Sequence, residues 1–435
     1  MTQPLRAIRG EIVHFLADPA DAGAAALAHF PDGLLLVRDG RIETAGPAAE
    51  LLPQLAAGTP VEDLRGKLIL PGFVDTHVHY AQTDMIASYG EQLLAWLERY
   101  TFPTEARFAD PAYAGEVAGF FCDELLRNGT TTAMAFATVH PGSVDALFSA
   151  AQARRMRLIA GKVLMDRNCP DYLRDTADQG YLDSAELIHR WHGVDRLRYA
   201  VTPRFAPTST PEQMALAGRL YAEHPGVYLQ SHVAENQGEV AWVAQLYPEA
   251  RSYLDVYDRY GQLGERSVYA HCIWLDDDDR ARMAATGAAA SFCPTSNLFL
   301  GSGLFDLDRA HELGMRVGIG TDVGGGTSFS MLKTLGEAYK VLQLRGSSLA
   351  AERAFYLATL GGARSLYLEG EIGNFLPGKE ADFVVLDPAA SPLLARRMAH
   401  ADSLAERLFV LMTLGDDRCV AATWVLGEPA WQRGA

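Results

Sequence analysis

Residues 68–79 read LILPGFVDTHVH, an apolar run that passes through Pro71-Gly72 and ends in two histidines one residue apart. In extended chain the side chains alternate between faces with period two, so His77 and His79 share a face and can reach one ion. A lone His-x-His is weak evidence, because core histidines produce the same pattern. Three further residues change the weight. His232, His271 and Asp322 each follow a strand-like apolar run, GVYLQS, SVYA and MRVGIGT respectively. A side chain just past the end of a buried strand points into the mouth of a parallel sheet or barrel. Imidazole and carboxylate groups delivered there would converge on one borderline cation, most simply Zn²⁺. The same donors suit iron and manganese, so the identity of the metal stays open.

Outward from this stretch, strand-like runs alternate with amphipathic helices between residues 71 and 365. The candidate strands are FVDTH, TTAMAF, RLIAGKVLM, LRYAVTP, GVYLQS, SVYA, AAASFC and RVGIG. Eight strands with intervening helices fit an α/β fold, a (β/α)8 TIM-like barrel with its active site at the strand C-termini. A doubly wound open sheet is the alternative, but it would not bring strands one, five, six and eight to one point. Helix starts are marked by Asp110-Pro111 and by Thr210-Pro211-Glu212-Gln213, and Asn128-Gly129 marks a stop. Asp276 to Asp279 reads as a solvated helix cap rather than a second metal site. Residues 1–70 and 366–435 are strand-rich, with Asp39-Gly40 as a hairpin signal. Together they are expected to build one small β domain from both termini.

The bulk numbers narrow the partners. The chain has 435 residues, 49% hydrophobic and 21% charged, as a soluble enzyme does. Its 38 basic and 54 acidic residues give a net charge of −16. Such a surface repels phosphate backbones and anionic lipid, which argues against nucleic acid and membrane partners but not against a free base. The stretch MTQPLRAIRGEIVHF alternates like a strand and lacks a signal peptide's apolar core. Five cysteines, an odd count with no C-x-x-C pair, suit free thiols in a reducing cytoplasm. Cys272 and Cys293, close to the site in sequence, read as packing residues.

Glu235 lies three residues past His232, one loop turn beyond a ligand. A carboxylate in a dry site has a raised pKa and can accept and then donate a proton. Beside a metal that brings water's pKa toward neutrality, it completes a hydrolytic set.

PGFVDTHVHYAQ, SHVAEN, AHC, CPTSNLFLGSG and GIGTDVGGG together resemble the amidohydrolase superfamily, and GNFLPGKEADFVVLD is similar to its closing β segment. LLAWLERYTFPTEARF, GKVLMDRN, TPRFAPTST and LGDDR, in that order, resemble its guanine-deaminating branch. The resemblance implies that His77, His79, His232 and Asp322 hold zinc. His271 would lie against the same metal, binding it directly or only orienting the attacking water. It assigns the chemistry to Glu235, as proton shuttle, with His271 and Asp322. The purine pocket would comprise Gln82, Arg204 and Phe205, with His232 and Glu235 contributing.

Binuclear members carry a carboxylated lysine at the end of strand four. Arg204 stands at that position here, so one ion per chain is implied, and Lys162 on strand three is left a structural role. The implied reaction is hydrolytic deamination of guanine to xanthine and ammonia by a metal-activated water, a step in purine catabolism, in a homodimer.

Three other readings compete. The first is a related enzyme acting on an adenosine-like or triazine amine, with the same metal site but a different pocket. The second is a cytidine-deaminase type, which needs a P-C-x-x-C that this chain lacks. The third is a barrel that only binds, which predicts gaps in the ligand set where none are found. Segment 84–110, rich in aromatics, is expected to be a loop that covers the pocket, and composition leaves open whether it acts as a lid.

Overall fold

The structure, a computed structural model, describes residues 5–434. The chain opens with β1 (Arg6–Phe15), β2 (Leu27–Arg38), β3 (Arg41–Pro47) and β4 (Val61–Pro71). β2 and β3 form a hairpin whose central residues, Asp39 and Gly40, have φ of 52° and 75°. Positive φ at both positions matches the twist of the flanking strands, which is why an Asp-Gly pair sits there.

The next nine strands are β5 (Phe73–His79), β6 (Thr130–Phe136), β7 (Arg157–Gly161), β8 (Val163–Leu164), β9 (Leu197–Pro203), β10 (Tyr228–Val233), β11 (Ser267–His271), β12 (Ala289–Phe292) and β13 (Arg316–Ile319). Eight of them pair in the order β5-β6-β7-β9-β10-β11-β12-β13, and the two-residue β8 adds to β9. Every rung is parallel. The two edges meet just beyond β13, where Asp322 N donates to the His77 carbonyl (2.9 Å) and His79 N to the Val323 carbonyl (2.8 Å). Buried Asp75 fastens the same seam by accepting from Thr321 N at 3.1 Å and from its hydroxyl. The result is the expected (β/α)8 barrel.

Val74, Met134, Ile159, Ala200, Tyr228, Val268 and Ala289, one from each of seven strands, pack with Ala363, Leu366, Leu368 and Ile372 in one buried cluster. At about 1.5–3 kcal/mol for each large aliphatic side chain removed from water, this layer holds the strands in register.

The chain closes with β14 (Phe383–Leu386), β15 (Val420–Val425) and β16 (Glu428–Gln432). These join the N-terminal strands in one seven-stranded sheet, ordered β16-β15-β14-β4-β1-β2-β3. The C-terminal stretch is not all strand. Helices Pro392–Met398 and Leu404–Leu414 lie between β14 and β15, and the second packs on helix Met331–Leu344.

The helix signals hold locally. Asp110 caps Pro111–Arg127 by accepting from Ala112 N (2.9 Å), and Thr210 caps Pro211–Glu223 by accepting from Gln213 N (3.2 Å). Asp276 caps Asp277–Thr286. Asp279 departs from the solvated reading, because it is buried and bonded to Arg251 and to Ser252 Oγ. Among the described residues no helix is long and apolar enough to cross a membrane.

Candidate active site

His77 and His79, at the end of β5, are both buried, and the strand register is irregular between Asp75 and Val78 just before they meet the cluster. His232 comes from β10, His271 from the last residue of β11, and Asp322 from the turn after β13. His79 Nε2 lies 3.2 Å from His232 Nε2. Asp322 Oδ1 lies 3.2 Å from His77 Nε2 and 3.5 Å from His79 Nε2, and its Oδ2 is 3.7 Å from His271 Nε2. Two triads emerge, His77–His79–His232 and His77–His271–Asp322, each with ligand atoms within 4.8 Å of one another. His77 belongs to both, so all five predicted ligands come together.

Backbone geometry turns these side chains inward. Ala234, His271, Cys272 and Asp322 have φ of 50°, 72°, 53° and 51°. Left-handed backbone at residues with a Cβ costs about 1–3 kcal/mol each and collects at functional sites.

The donor set fits a metal. Among the described residues, buried His77 Nε2 and His79 Nδ1 have no hydrogen-bond partner. His232 Nδ1 meets the Arg204 carbonyl (2.7 Å) and His271 Nδ1 meets Asn297 Oδ1 (2.8 Å). Both acceptors place the proton on Nδ1 and leave the Nε2 lone pair facing the cluster, as a metal-ligating imidazole requires. Four imidazole nitrogens and a carboxylate form a borderline donor set.

Burial sets the electrostatics. It drives His79 and His232 well below the usual imidazole pKa, with the neighbouring histidines adding to the effect. For Asp322 burial works upward, but His77, His271 and His232 outweigh it and bring the carboxyl down to about 2. Burial raises Glu235 above the usual carboxylate range.

Glu235 follows β10 on a loop fixed by its own neighbours. Its Oε2 is 3.3 Å from His271 Nε2, and its Oε1 accepts from Ser302 Oγ (2.9 Å). Its backbone N donates to Glu239 Oε2 (3.1 Å), and Glu239 also accepts from Asn236 N and from Tyr253 Oη (2.6 Å). Asn236 meanwhile completes a reciprocal capping box on helix Gln237–Leu246.

Above the cluster opens a small cavity. Gln82, Arg204 and Phe205 line it together with His232, Glu235, His271 and Asp322. Leu93, Trp96 and Leu97 close another side. They come from segment 84–110, which is a chain of short helical turns, Leu93–Trp96, Leu97–Thr101 and Phe102–Ala106.

Three polar residues that hold the site were not singled out in the sequence. Glu105 binds Arg204, Asn297 orients His271, and Ser302 holds Glu235. All three lie inside stretches that carry the family resemblance, but none has a chemistry-specific spacing of its own. Lys162 is spent on a buried ion pair with Asp175, away from the ligand set. Cys272 and Cys293 are buried free thiols.

The amidohydrolase family profile matches residues 68–430. The chain belongs to the amidohydrolase family. Within that family it is 55% identical to the guanine deaminase of Escherichia coli over 431 residues, 99% of this chain and 98% of that one. The solved structure of the E. coli guanine deaminase superposes with a TM-score of 0.97, covering 99% of this chain and all of that one. A guanine deaminase from C. acetobutylicum, solved with guanine bound in its active site, shares 29% identity with this amidohydrolase and a TM-score of 0.89 over 98% of the chain.

Proposed function

We propose that this chain hydrolyses guanine to xanthine and ammonia. The observation that carries the reading is the convergence of His77, His79, His232, His271 and Asp322 within one buried cluster, with Glu235 3.3 Å from His271. The likeness to guanine deaminases over the whole chain supports the choice of substrate. Zinc is the proposed ion, held by His77, His79, His232 and Asp322 with His271 against it. When bound, it supplies the Lewis acidity that makes water a nucleophile near neutral pH.

The chain's own groups do the rest. Glu235 accepts a proton from the attacking water as oxygen bonds to C2 of guanine, the carbon bearing the exocyclic amine. It delivers that proton to the ring nitrogen, then carries the proton of the new C2 hydroxyl to the exocyclic amine, so that the C–N bond breaks, ammonia leaves and the C2 carbonyl of xanthine forms. Its raised pKa suits both directions of transfer. His271 is fixed by Asn297 and points Nε2 at Glu235 and Asp322, where it orients the water. Arg204 and Gln82 hydrogen-bond the O6 and nitrogen edges of the base, and Phe205 packs on a ring face. A base lacking those edges leaves buried donors unpaired and is rejected. The reading carries with it a cytoplasmic homodimer acting in purine catabolism, supported by the resemblance and the free thiols.

The test is ammonia release from guanine, adenine, cytosine and a triazine on metal-analysed protein. Guanine is expected to be turned over with kcat/KM at least about 10²-fold above the others. Turnover of a triazine with none of guanine would overturn the substrate and leave the metal site standing.

A further inference from the structure

Arg204 does two jobs with two parts of itself. Its main-chain carbonyl accepts from His232 Nδ1, and its guanidinium, 3% exposed, stands in the wall of the cavity. All of its guanidinium hydrogen bonds pass through one nitrogen. Nη1 donates to Glu105 Oε1 (3.0 Å) and Oε2 (2.8 Å), while Nε and Nη2 donate to nothing among the described residues. Glu105 Oε1 also accepts from Gln82 Nε2 (3.3 Å), and Gln82 Oε1 accepts from Gly324 N (3.2 Å). The Phe102 ring packs 5.5 Å from the guanidinium carbon.

Glu105 is itself fully buried, on the helical turn Phe102–Ala106. A buried ion pair is a poor stabilising device, because desolvating both charges offsets most of their attraction. In a cavity wall it has a better use. One carboxylate seizes the far side of Arg204 and Gln82, so that their remaining polar groups face the ligand in fixed directions. It also cancels the guanidinium charge, which suits the cavity to an uncharged ring bearing an oxo group.

The geometry points to Glu105 as a positioning residue that sets substrate specificity through Arg204, without touching the reacting atoms. The inference rests on the guanine reading above and deepens it.

The test is steady-state kinetics on guanine with wild type, Glu105→Gln, Arg204→Met and the double variant, each checked for metal content and thermal stability. Detectable ammonia release by wild type comes first, since its absence would sink the guanine reading rather than the role of Glu105. Given activity, Glu105→Gln should raise KM about tenfold or more and leave kcat within about threefold, the signature of lost uniform binding. In the Arg204→Met background Glu105→Gln should lower kcat/KM at least about threefold less than it does in wild type, because Glu105 acts mainly through Arg204 and only in part through Gln82. An unchanged KM, a fall in kcat alone, or fully additive losses in the double variant would each overturn the proposal. If Glu105→Gln does not accumulate folded, Glu105→Asp carries the test. It keeps the charge but shortens the reach, so KM should rise at least about threefold, and an unchanged KM overturns the role.

Discussion

Glu235 reaches the histidine cluster from a loop, with one oxygen toward His271 and the other held by Ser302. Glu235→Gln keeps this shape and removes the proton shuttle. Metal content by elemental analysis should stay at the wild-type level while kcat falls at least about 10²-fold; near-normal turnover would remove Glu235 from the chemistry. Glu235 and the five ligand candidates were legible because metal chemistry restricts the residue type and strand ends show as breaks in apolar runs. The residues that hold them were not. Glu105 meets Arg204 across 99 positions, Ser302 meets Glu235 across 67, and Asn297 meets His271 across 26. No local pattern encodes such meetings, and Glu105 sits among Glu98, Arg99 and Arg107, where a charge reads as solvated.

Among the elements, the eight barrel strands are readable because each is an apolar run ended by polar or turn residues. The short helical turns of 93–106 are not, since four or five residues show no helical period. The terminal sheet meets the barrel through a buried ion network. Glu380, just before β14, accepts from Arg157 at the start of β7 (2.7 Å) and from Arg196 just before β9 (2.7 Å), and Asp382 also pairs with Arg196. Glu380→Ala leaves both buried guanidinium groups short of a partner. The expected loss of unfolding free energy is about 3 kcal/mol in urea titration. kcat/KM on guanine should stay near wild type, because the network lies at the strand starts, opposite the ligands. A stability change below about 0.5 kcal/mol would show that the network does not join the two sheets.

At the level of the whole molecule, one buried imidazole gives acid stability a defined window. His14 lies between the rings of Phe30 and Phe375, and burial, with Lys379 nearby, lowers its pKa from 6.5 to about 4. Between those values the unfolded chain binds a proton that the fold refuses. The contribution is therefore complete above about pH 6.5 and is lost as pH falls toward 4, by about 3 kcal/mol. In His14→Gln that loss should vanish, so the stability gap between the two proteins should move by that amount between pH 7 and 4; a constant gap would mean that His14 takes its proton in the fold. The larger account depends on one cation shared by groups from β5, β10, β11 and the turn after β13. Its most direct test is to strip the metal with a chelator, measure residual content, and follow ammonia release from guanine before and after adding zinc back. Activity should disappear with the metal and return as about one ion per chain is restored. Undiminished ammonia release from protein shown to hold no metal would contradict the account.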